Sequence, residues 1–216
     1  MDALTNLSKG DAPTLALVHP TEAEKLIQFN FNGAEWRGAL SLPSYLLRET
    51  ALSQQSLTRN GGITYWILID TSLPNNPLAP KSGTRLPLAS CETYRKKALV
   101  WQDGQLQEVI CHGIGSVFCA SHLRKRGYAQ RMMKELGKAL RTYQTEEGRE
   151  CLFTVLYSDI GKVRLSMCMP VPCLLIIVAI LQPIWLGAFP FFTSFYMCDC
   201  ICKRGESAHG SGVVCR

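Results

Sequence analysis

The residues best suited to chemistry lie in a basic turn, RKRGYA, at positions 124–129. An apolar β-type run, residues 107–119, precedes this turn, and a helical pattern follows it at once. A strand that leads through a glycine-containing turn into a helix N-terminus offers free N–H groups and the positive end of the helix dipole to an anion. Three cations in the turn suit a ligand with several phosphates. The stretch therefore predicts an anion site, although a solvated basic turn and helix face is the alternative.

The elements around this turn predict an α+β fold with a mixed α/β sheet. Apolar and β-branched runs indicate strands, and helical periods or capping signals indicate helices. The predicted strands cover residues 14–18, 63–69, 91–99, 107–119 and 151–157, and the predicted helices cover residues 21–29, 43–57 and 126–143. The proline-rich residues 71–90 are expected to form an exposed loop. The order is β-α-α-β-β-β-α-β, in which successive strands are followed by a strand–helix–strand crossover.

Composition divides the chain near residue 164. The 216 residues are 47% hydrophobic with a formal charge of +6, which suits one good core. Residues 165–198 contain no charge, and six of the ten cysteines follow residue 164. The other four lie far apart among apolar residues, which is typical of reduced core thiols in an intracellular protein. The N-terminus shows no apolar signal-peptide region, so we expect a cytoplasmic protein, with membrane anchoring through the apolar tail as the alternative.

The turn also resembles a known family motif. Arg124-x-x-Gly127-x-Ala129 is similar to the Q/R-x-x-G-x-G/A motif of GNAT acetyltransferases, and the predicted element order is similar to their fold. RGYAQRMM, followed by VLYSDIGK at residues 155–162, resembles fungal lysine N-acetyltransferase-like proteins. The similarity covers roughly residues 14–162. It implies an N-acetyltransferase that uses acetyl-CoA and acts on a small-molecule amine, lysine by resemblance.

The resemblance implies a cofactor site built from two segments. The backbone of the turn would hold the pyrophosphate, where Gly127 permits close approach and Ala129 is small. The end of the preceding strand would pair with the pantetheine arm. The implied cofactor-binding residues are Val117, Phe118, Cys119, Arg124, Lys125, Arg126, Gly127, Tyr128 and Ala129. Packing in a core strand is an equally good account of the side chains of residues 117–119, and for Tyr128 a packed surface aromatic is favoured.

No catalytic residue follows from the sequence. Family members often carry an acidic base on the long strand and a tyrosine acid on the last helix. Glu108 and His112 lie on that strand but match neither position, and His112 is interpreted as a core histidine.

The chain departs from the family pattern after residue 162, so we predict an incomplete acetyltransferase domain over residues 1–162 and a separate tail over residues 163–216. The tail resembles neither the final helix with its tyrosine nor the closing strands. We therefore expect impaired activity.

Three interpretations of the tail stay open. The first is a membrane anchor through residues 171–197, which are uncharged and longer than the ~20 residues a span needs. The second is palmitoylation or metal binding at Cys198, Cys200 and Cys202, although one intervening residue is a poor spacing for zinc. The third, which we favour, is translated non-coding sequence, because the codons of Val163 and Arg164 can match an intron start.

Two other classes of function compete with a transferase. A membrane-tethered binding module without catalysis is the main alternative. A nucleic-acid binder ranks low, because Tyr128 is the only aromatic residue within the basic patch and stacking platforms need several. No metal site is predicted.

Overall fold

The computed structural model describes residues 7–102, 105–145, 151–157, 175–179 and 213–215. Its strands are β1 (Leu15–Val18), β2 (Ile63–Asp70), β3 (Ala89–Gln102), β4 (Gln105–Phe118), β5 (Cys151–Tyr157), β6 (Leu175–Ala179) and β7 (Val213–Cys215). Its helices are α1 (Glu22–Trp36), α2 (Leu42–Ser53) and α3 (Tyr128–Ala139), with a 3-10 turn at Ser121–Leu123. This arrangement confirms the α+β class and the predicted order as far as β5.

The chain forms two compact units. The first unit comprises residues 1–94 and 116–139, and in it β1 pairs antiparallel with β2, which pairs antiparallel with the start of β3. The second unit comprises residues 95–115 and 140–216. There β4 pairs parallel with β5, and β5 pairs parallel with β6, while β7 lies antiparallel on β3. The turn singled out by the sequence lies wholly in the first unit.

Capping signals set where the first two helices begin. At α1, the N–H of Thr21 donates to the Glu24 carboxylate at 2.9 Å, and the N–H of Glu24 donates to the Thr21 hydroxyl at 3.2 Å. This reciprocal pair is the capping box predicted from the sequence. At α2, Ser41 is the N-cap and Pro43 lies in the first turn.

The helix ends differ from the predicted ones. Helix α1 continues past residue 29 to Trp36, and α2 ends at Ser53, before Leu57. Helix α3 begins at Tyr128 instead of residue 126, because Gly127 has a φ of 84°, which a right-handed helix cannot include.

Removing the α1 cap has a modest expected cost. Replacing Thr21 by alanine leaves the Glu24 N–H without its hydroxyl acceptor and should lower the free energy of unfolding by about 1 kcal/mol. Urea denaturation measures the change. Thr21→Ser keeps the hydroxyl and should stay close to wild type, whereas equal losses in both variants would contradict the capping role.

The first unit has its core between α3 and strands β1 and β2, which α3 contacts. The predicted apolar stripe of Met132, Met133, Leu136 and Leu140 is entirely buried. On β2, Ile67 and Leu68 are fully buried as well. This packing fixes the start of α3, and therefore the turn before it, against the sheet.

The four cysteines before residue 164 are free thiols. Cys91, Cys111 and Cys151 are buried, and Cys119 is half-buried. The predicted core positions are therefore confirmed for Cys91, Cys111 and Cys151, whereas Cys119 lies at the edge of the core.

Most of the tail lies outside the described residues, which include only 175–179 and 213–215 from it. The domain boundary at residues 162/163 and the cysteines at 198, 200 and 202 therefore stay predictions. The proposed anchor at 171–197 is described only at 175–179, which form β6. The sequence analysis assigned no element to β6 or β7. Within the described part of the chain, no helix is both long and apolar enough to cross a membrane.

Candidate functional site

The backbone of the basic turn enters the left-handed region twice before α3 begins. Lys125 has a φ of 66° and Gly127 a φ of 84°, both in the left-handed region, on either side of Arg126. Alternating handedness turns successive N–H groups toward a common point and forms a concavity that suits an anion. A lysine in the left-handed region is uncommon and costs free energy, so the surrounding structure must stabilise this conformation.

The N–H groups of this turn are the main feature of the site. In the part of the chain that the structure describes, the N–H groups of Lys125 and of residues 127–130 donate to no protein acceptor. The series ends at Arg131, whose N–H donates to the Gly127 carbonyl at 3.0 Å. Unpaired N–H groups at the start of a 12-residue helix are available to a bound anion.

The three cations of the turn are placed differently. The guanidinium of Arg124 forms an ion pair with Glu35 and donates to the Cys119 carbonyl at 2.8 Å. The Arg126 guanidinium donates to the Leu7 carbonyl at 3.3 Å. Lys125 is exposed, and its ammonium contacts no protein acceptor among the described residues. Lys125 is therefore the cation of the turn that is best placed to meet a ligand.

Tyr128 is a core residue by its side chain. Its ring is 1% exposed, and its hydroxyl donates to the carbonyl of Ser8. Burial is the main cause of the raised pKa of this hydroxyl. The ring is therefore packed, as the sequence analysis favoured, but it lies in the core and not at the surface.

The side chains at the end of β4 and just after it also pack against other parts of the protein. The Phe118 ring lies edge-to-face on Trp36, with 5.1 Å between the centroids. The Cys119 thiol donates to the Leu88 carbonyl at 3.3 Å, and burial raises the pKa of this thiol. The described register of β4 with β5 ends at Ile114, so Val117 lies beyond it. The main chain of residues 117–119 is the part that could pair with a ligand.

A buried carboxyl group on β3 was missed by the sequence analysis. Glu92 is 3% exposed, and one of its oxygens accepts a hydrogen bond from the Tyr94 hydroxyl at 2.6 Å. Its other oxygen, Oε1, has no hydrogen-bond partner among the described residues. Burial raises the pKa of Glu92, and the charge of Glu49 adds to this. The sequence offered one signal for this residue. Glu92 is the only charged residue in residues 89–94, the start of the strand.

Ser116, a residue of β4, also interacts with the Glu92 carboxyl. Its φ of 50° interrupts the extended conformation of the strand, two residues before Phe118. The Ser116 hydroxyl is close enough to Glu92 to lower the pKa of that carboxyl, against the larger effect of burial. A carboxyl with a raised pKa and an oxygen that accepts no hydrogen bond is suited to take up a proton.

The two polar residues that the sequence placed on the long strand have structural roles. His112 is fully buried, with Nε2 3.0 Å from the Tyr143 carbonyl oxygen, and burial lowers its pKa. Glu108 is paired with the Lys97 ammonium at 3.0 Å. The interpretation of His112 as a core residue is therefore confirmed. No group of three or more His, Cys, Asp or Glu within the described ranges could hold a metal ion.

The sequence is similar to part of a lysine acetyltransferase from the yeast Yarrowia lipolytica. The two are 30% identical over 113 residues, which is 51% of this chain and 26% of that protein. The chain thus spans about a quarter of the length of this relative. No family model matches the chain. The match confirms the resemblance to N-acetyltransferases that the turn indicates.

Two solved structures of acetyltransferases, one of them a possible acetyltransferase, are similar to the chain at low sequence identity. A possible acetyltransferase from Clostridium difficile is 12% identical, with a TM-score of 0.47 over 82% of this chain and 99% of that one. Glucosamine-6-phosphate N-acetyltransferase from Arabidopsis thaliana is 12% identical, with a TM-score of 0.44 over 82% and 98% of the two chains. Scores below 0.5 do not by themselves establish a common fold.

Proposed function

We propose that this chain is an acetyl-CoA-dependent N-acetyltransferase of the GNAT type, which transfers an acetyl group to a small-molecule amine. The observation that carries the proposal is the series of unpaired N–H groups at residue 125 and residues 127–130. The partial similarity to a lysine acetyltransferase supports lysine as the acceptor. We also propose that the acetyltransferase segment lies within residues 1–162 and that the protein is cytoplasmic, which its free thiols support.

The residues of the turn fit a diphosphate. Backbone N–H groups would bind its oxygens, and the exposed Lys125 ammonium would neutralise part of its charge. Gly127 adopts the positive φ of the turn without strain, and a Cβ there would lie 3.5 Å from the Cα of Gly10. Bound acetyl-CoA would supply an acetyl group that its thioester activates toward attack by an amine. The main chain of Val117 would hold the arm that leads to this group.

Glu92 would accept the proton that the acceptor amine loses. The amine would form an amide bond while the C–S bond of the thioester breaks, and coenzyme A would leave as a thiolate that takes a proton from solvent. The attacking amine must also release a proton, and a carboxylate within reach can take it directly or through one water. Oε1 of Glu92 has no partner among the described residues, so it is the free position. Ser116, two residues before Phe118, links this carboxyl to the strand that would hold the arm.

Binding of acetyl-CoA to the full chain tests the proposal. A ligand present at 100 times its Kd stabilises a protein by about 2.7 kcal/mol, which corresponds to a Tm increase of roughly 5–10 °C for a chain of this size. Gly127→Glu should abolish this increase, because the carboxylate would repel the diphosphate and a non-glycine residue would strain the turn. A thermal-shift titration measures both effects.

Gly83→Glu is the matched control. Gly83 also has a positive φ, 66°, and no heavy atom lies within 4 Å of the position its Cβ would take. The substitution therefore introduces the same charge and a similar strain away from the turn, and the ligand-induced Tm increase should persist. The absence of any shift in the wild-type protein would overturn the proposed function.

A further inference from the structure

We propose that residues 7–12, which we call the strap, position the turn at residues 124–129 for diphosphate binding. The inference rests on the proposed function, because it assigns a role within the same site. Residues 7–12 precede β1 and carry no motif of their own. Their contacts with the turn connect residues more than 110 positions apart in the chain.

Three hydrogen bonds join the strap to the turn. The N–H of Gly10 donates to the Arg126 carbonyl at 2.7 Å. The Arg126 guanidinium donates to the Leu7 carbonyl at 3.3 Å, and the Tyr128 hydroxyl donates to the Ser8 carbonyl. The strap therefore holds both the main chain and two side chains of the turn.

A further residue of α3 extends this connection into the sheet. The Arg131 guanidinium donates to the carbonyls of Ala12 and Leu15, each at 3.4 Å. Leu15 begins β1, and it pairs with Asp70 of β2. Since Leu7 is 6% exposed, the far end of the strap is also fixed by burial. The turn is thus bound to an element that is itself anchored at both ends.

Glycine is required where the strap crosses the turn. A Cβ on Gly10 would lie 2.6 Å from the carbonyl carbon and oxygen of Gly127 and 2.9 Å from the Arg126 carbonyl oxygen. These are backbone atoms, so a side chain could be accommodated only if the strap or the turn moved. This close approach, and not the conformational freedom of glycine, explains why position 10 has no side chain.

The strap determines which way the turn faces. It binds the Arg126 carbonyl, the Arg126 guanidinium and the Tyr128 hydroxyl on one side of the turn. The N–H groups of Lys125 and of residues 127–130 have no acceptor in the described chain and are left for a ligand. The contacts at Arg126 also stabilise the left-handed conformation of its neighbour Lys125, which is costly for a residue other than glycine. Residues of the strap are therefore positioning residues, which touch no ligand themselves.

Coenzyme A affinity of strap variants tests this role. Isothermal titration of the full chain with coenzyme A should show binding weakened about tenfold or more in Gly10→Ala, because a displaced turn no longer directs its N–H groups to one point. Tyr128→Phe removes only the hydroxyl that reaches Ser8 and should weaken binding by a smaller factor. Lys81→Ala removes an exposed lysine side chain outside the strap and the turn and should bind as the wild type does.

Hydrogen exchange in the absence of coenzyme A provides a second measurement, which a general loss of stability would not reproduce. The amides of residues 10 and 131 donate to the carbonyls of Arg126 and Gly127, so they should exchange faster in Gly10→Ala, while those of β2 keep their wild-type protection. If Gly10→Ala also loses protection in β2, Tyr128→Phe decides the question by the same two measurements.

The outcomes separate the two proposals. Wild-type protein that does not bind coenzyme A would overturn the proposed function, whereas faster exchange of the amides of residues 10 and 131 in the variants would still support the role of the strap. If the wild-type protein binds coenzyme A, and the strap variants bind it equally well and exchange their amides equally slowly, only the proposed role of the strap would be overturned.

Discussion

Replacing Glu92 by glutamine is expected to lower the rate of acetyl transfer about 100-fold or more, with little change in the KM for acetyl-CoA. Glutamine keeps the shape of the side chain and can still accept the hydrogen bond from the Tyr94 hydroxyl. It cannot take up a proton, which is the role proposed for Oε1. Steady-state rates with lysine as acceptor measure the effect, and near wild-type activity would contradict the role of Glu92.

The pH profile distinguishes a proton acceptor from a packing residue. Burial raises the pKa of Glu92, and the base acts in its deprotonated form, so kcat/KM should rise as the pH rises through this raised pKa. The Glu92→Gln variant should lose this rise. Tyr94→Phe removes a hydrogen bond that stabilises the carboxylate, so it should raise the pKa further and move the profile to higher pH.

Glu108→Gln is the matched control for Glu92→Gln. Both substitutions neutralise a glutamate on a strand, but Glu108 is exposed and pairs with Lys97 on the surface. Surface ion pairs contribute about 0–1 kcal/mol, so neither stability nor activity should change measurably. Comparable activity losses in the two variants would point to a general effect of charge.

Local signals were sufficient to predict most of the elements of this fold. The run CLFTVLY predicts a strand over residues 151–157, and β5 has these bounds. Thr21 and Glu24 predict the start of α1, because a capping box requires only residues three positions apart. Helix ends were less accurate. They depend on backbone conformations, such as the positive φ of Gly127, that a hydrophobic period does not reveal.

The residues that shape the candidate site could not be found from local patterns. The strap reaches the turn only in the folded chain, so Gly10 and Arg126 show no common signal in the sequence. Glu92 poses a different problem. Alternation in a strand shows which residues share a face, but in β3 both Cys91 and Glu92 are buried, so neither face is exposed there. Burial on both faces removes the polar alternation that would have singled out the glutamate.

Replacing Glu24 by glutamine is expected to lower the free energy of unfolding by about 3 kcal/mol, because it removes one charge of a buried pair. The Glu24 side chain is 2% exposed, and its two oxygens accept hydrogen bonds from the Arg85 guanidinium at 2.7 and 2.6 Å. The backbone N–H groups of Thr21 and Arg85 donate to the same carboxylate. Glu24 therefore connects the start of α1 to the loop before β3.

The same contacts make this contribution depend on pH. The hydrogen bond from Arg85 is the main cause that lowers the pKa of Glu24 from 4.5 to about 2. A carboxyl whose pKa is lower in the folded state stabilises the fold above its unfolded pKa and loses this effect as the pH falls. The difference in unfolding free energy between wild type and Glu24→Gln should thus be full above pH 4.5 and shrink between pH 4.5 and about 2.

Glu22→Gln separates this pair from the general effect of a charge in the first turn of α1. Glu22 lies two residues earlier, its side chain is 88% exposed, and it pairs with Lys25 on the surface. Its substitution should cost less than about 1 kcal/mol and leave the acid dependence of stability almost unchanged. Urea denaturation from pH 2 to 7 compares the three proteins. A wild-type advantage over Glu24→Gln that stayed constant across this range would show that the Glu24–Arg85 pair contributes through its packing and not through its charge.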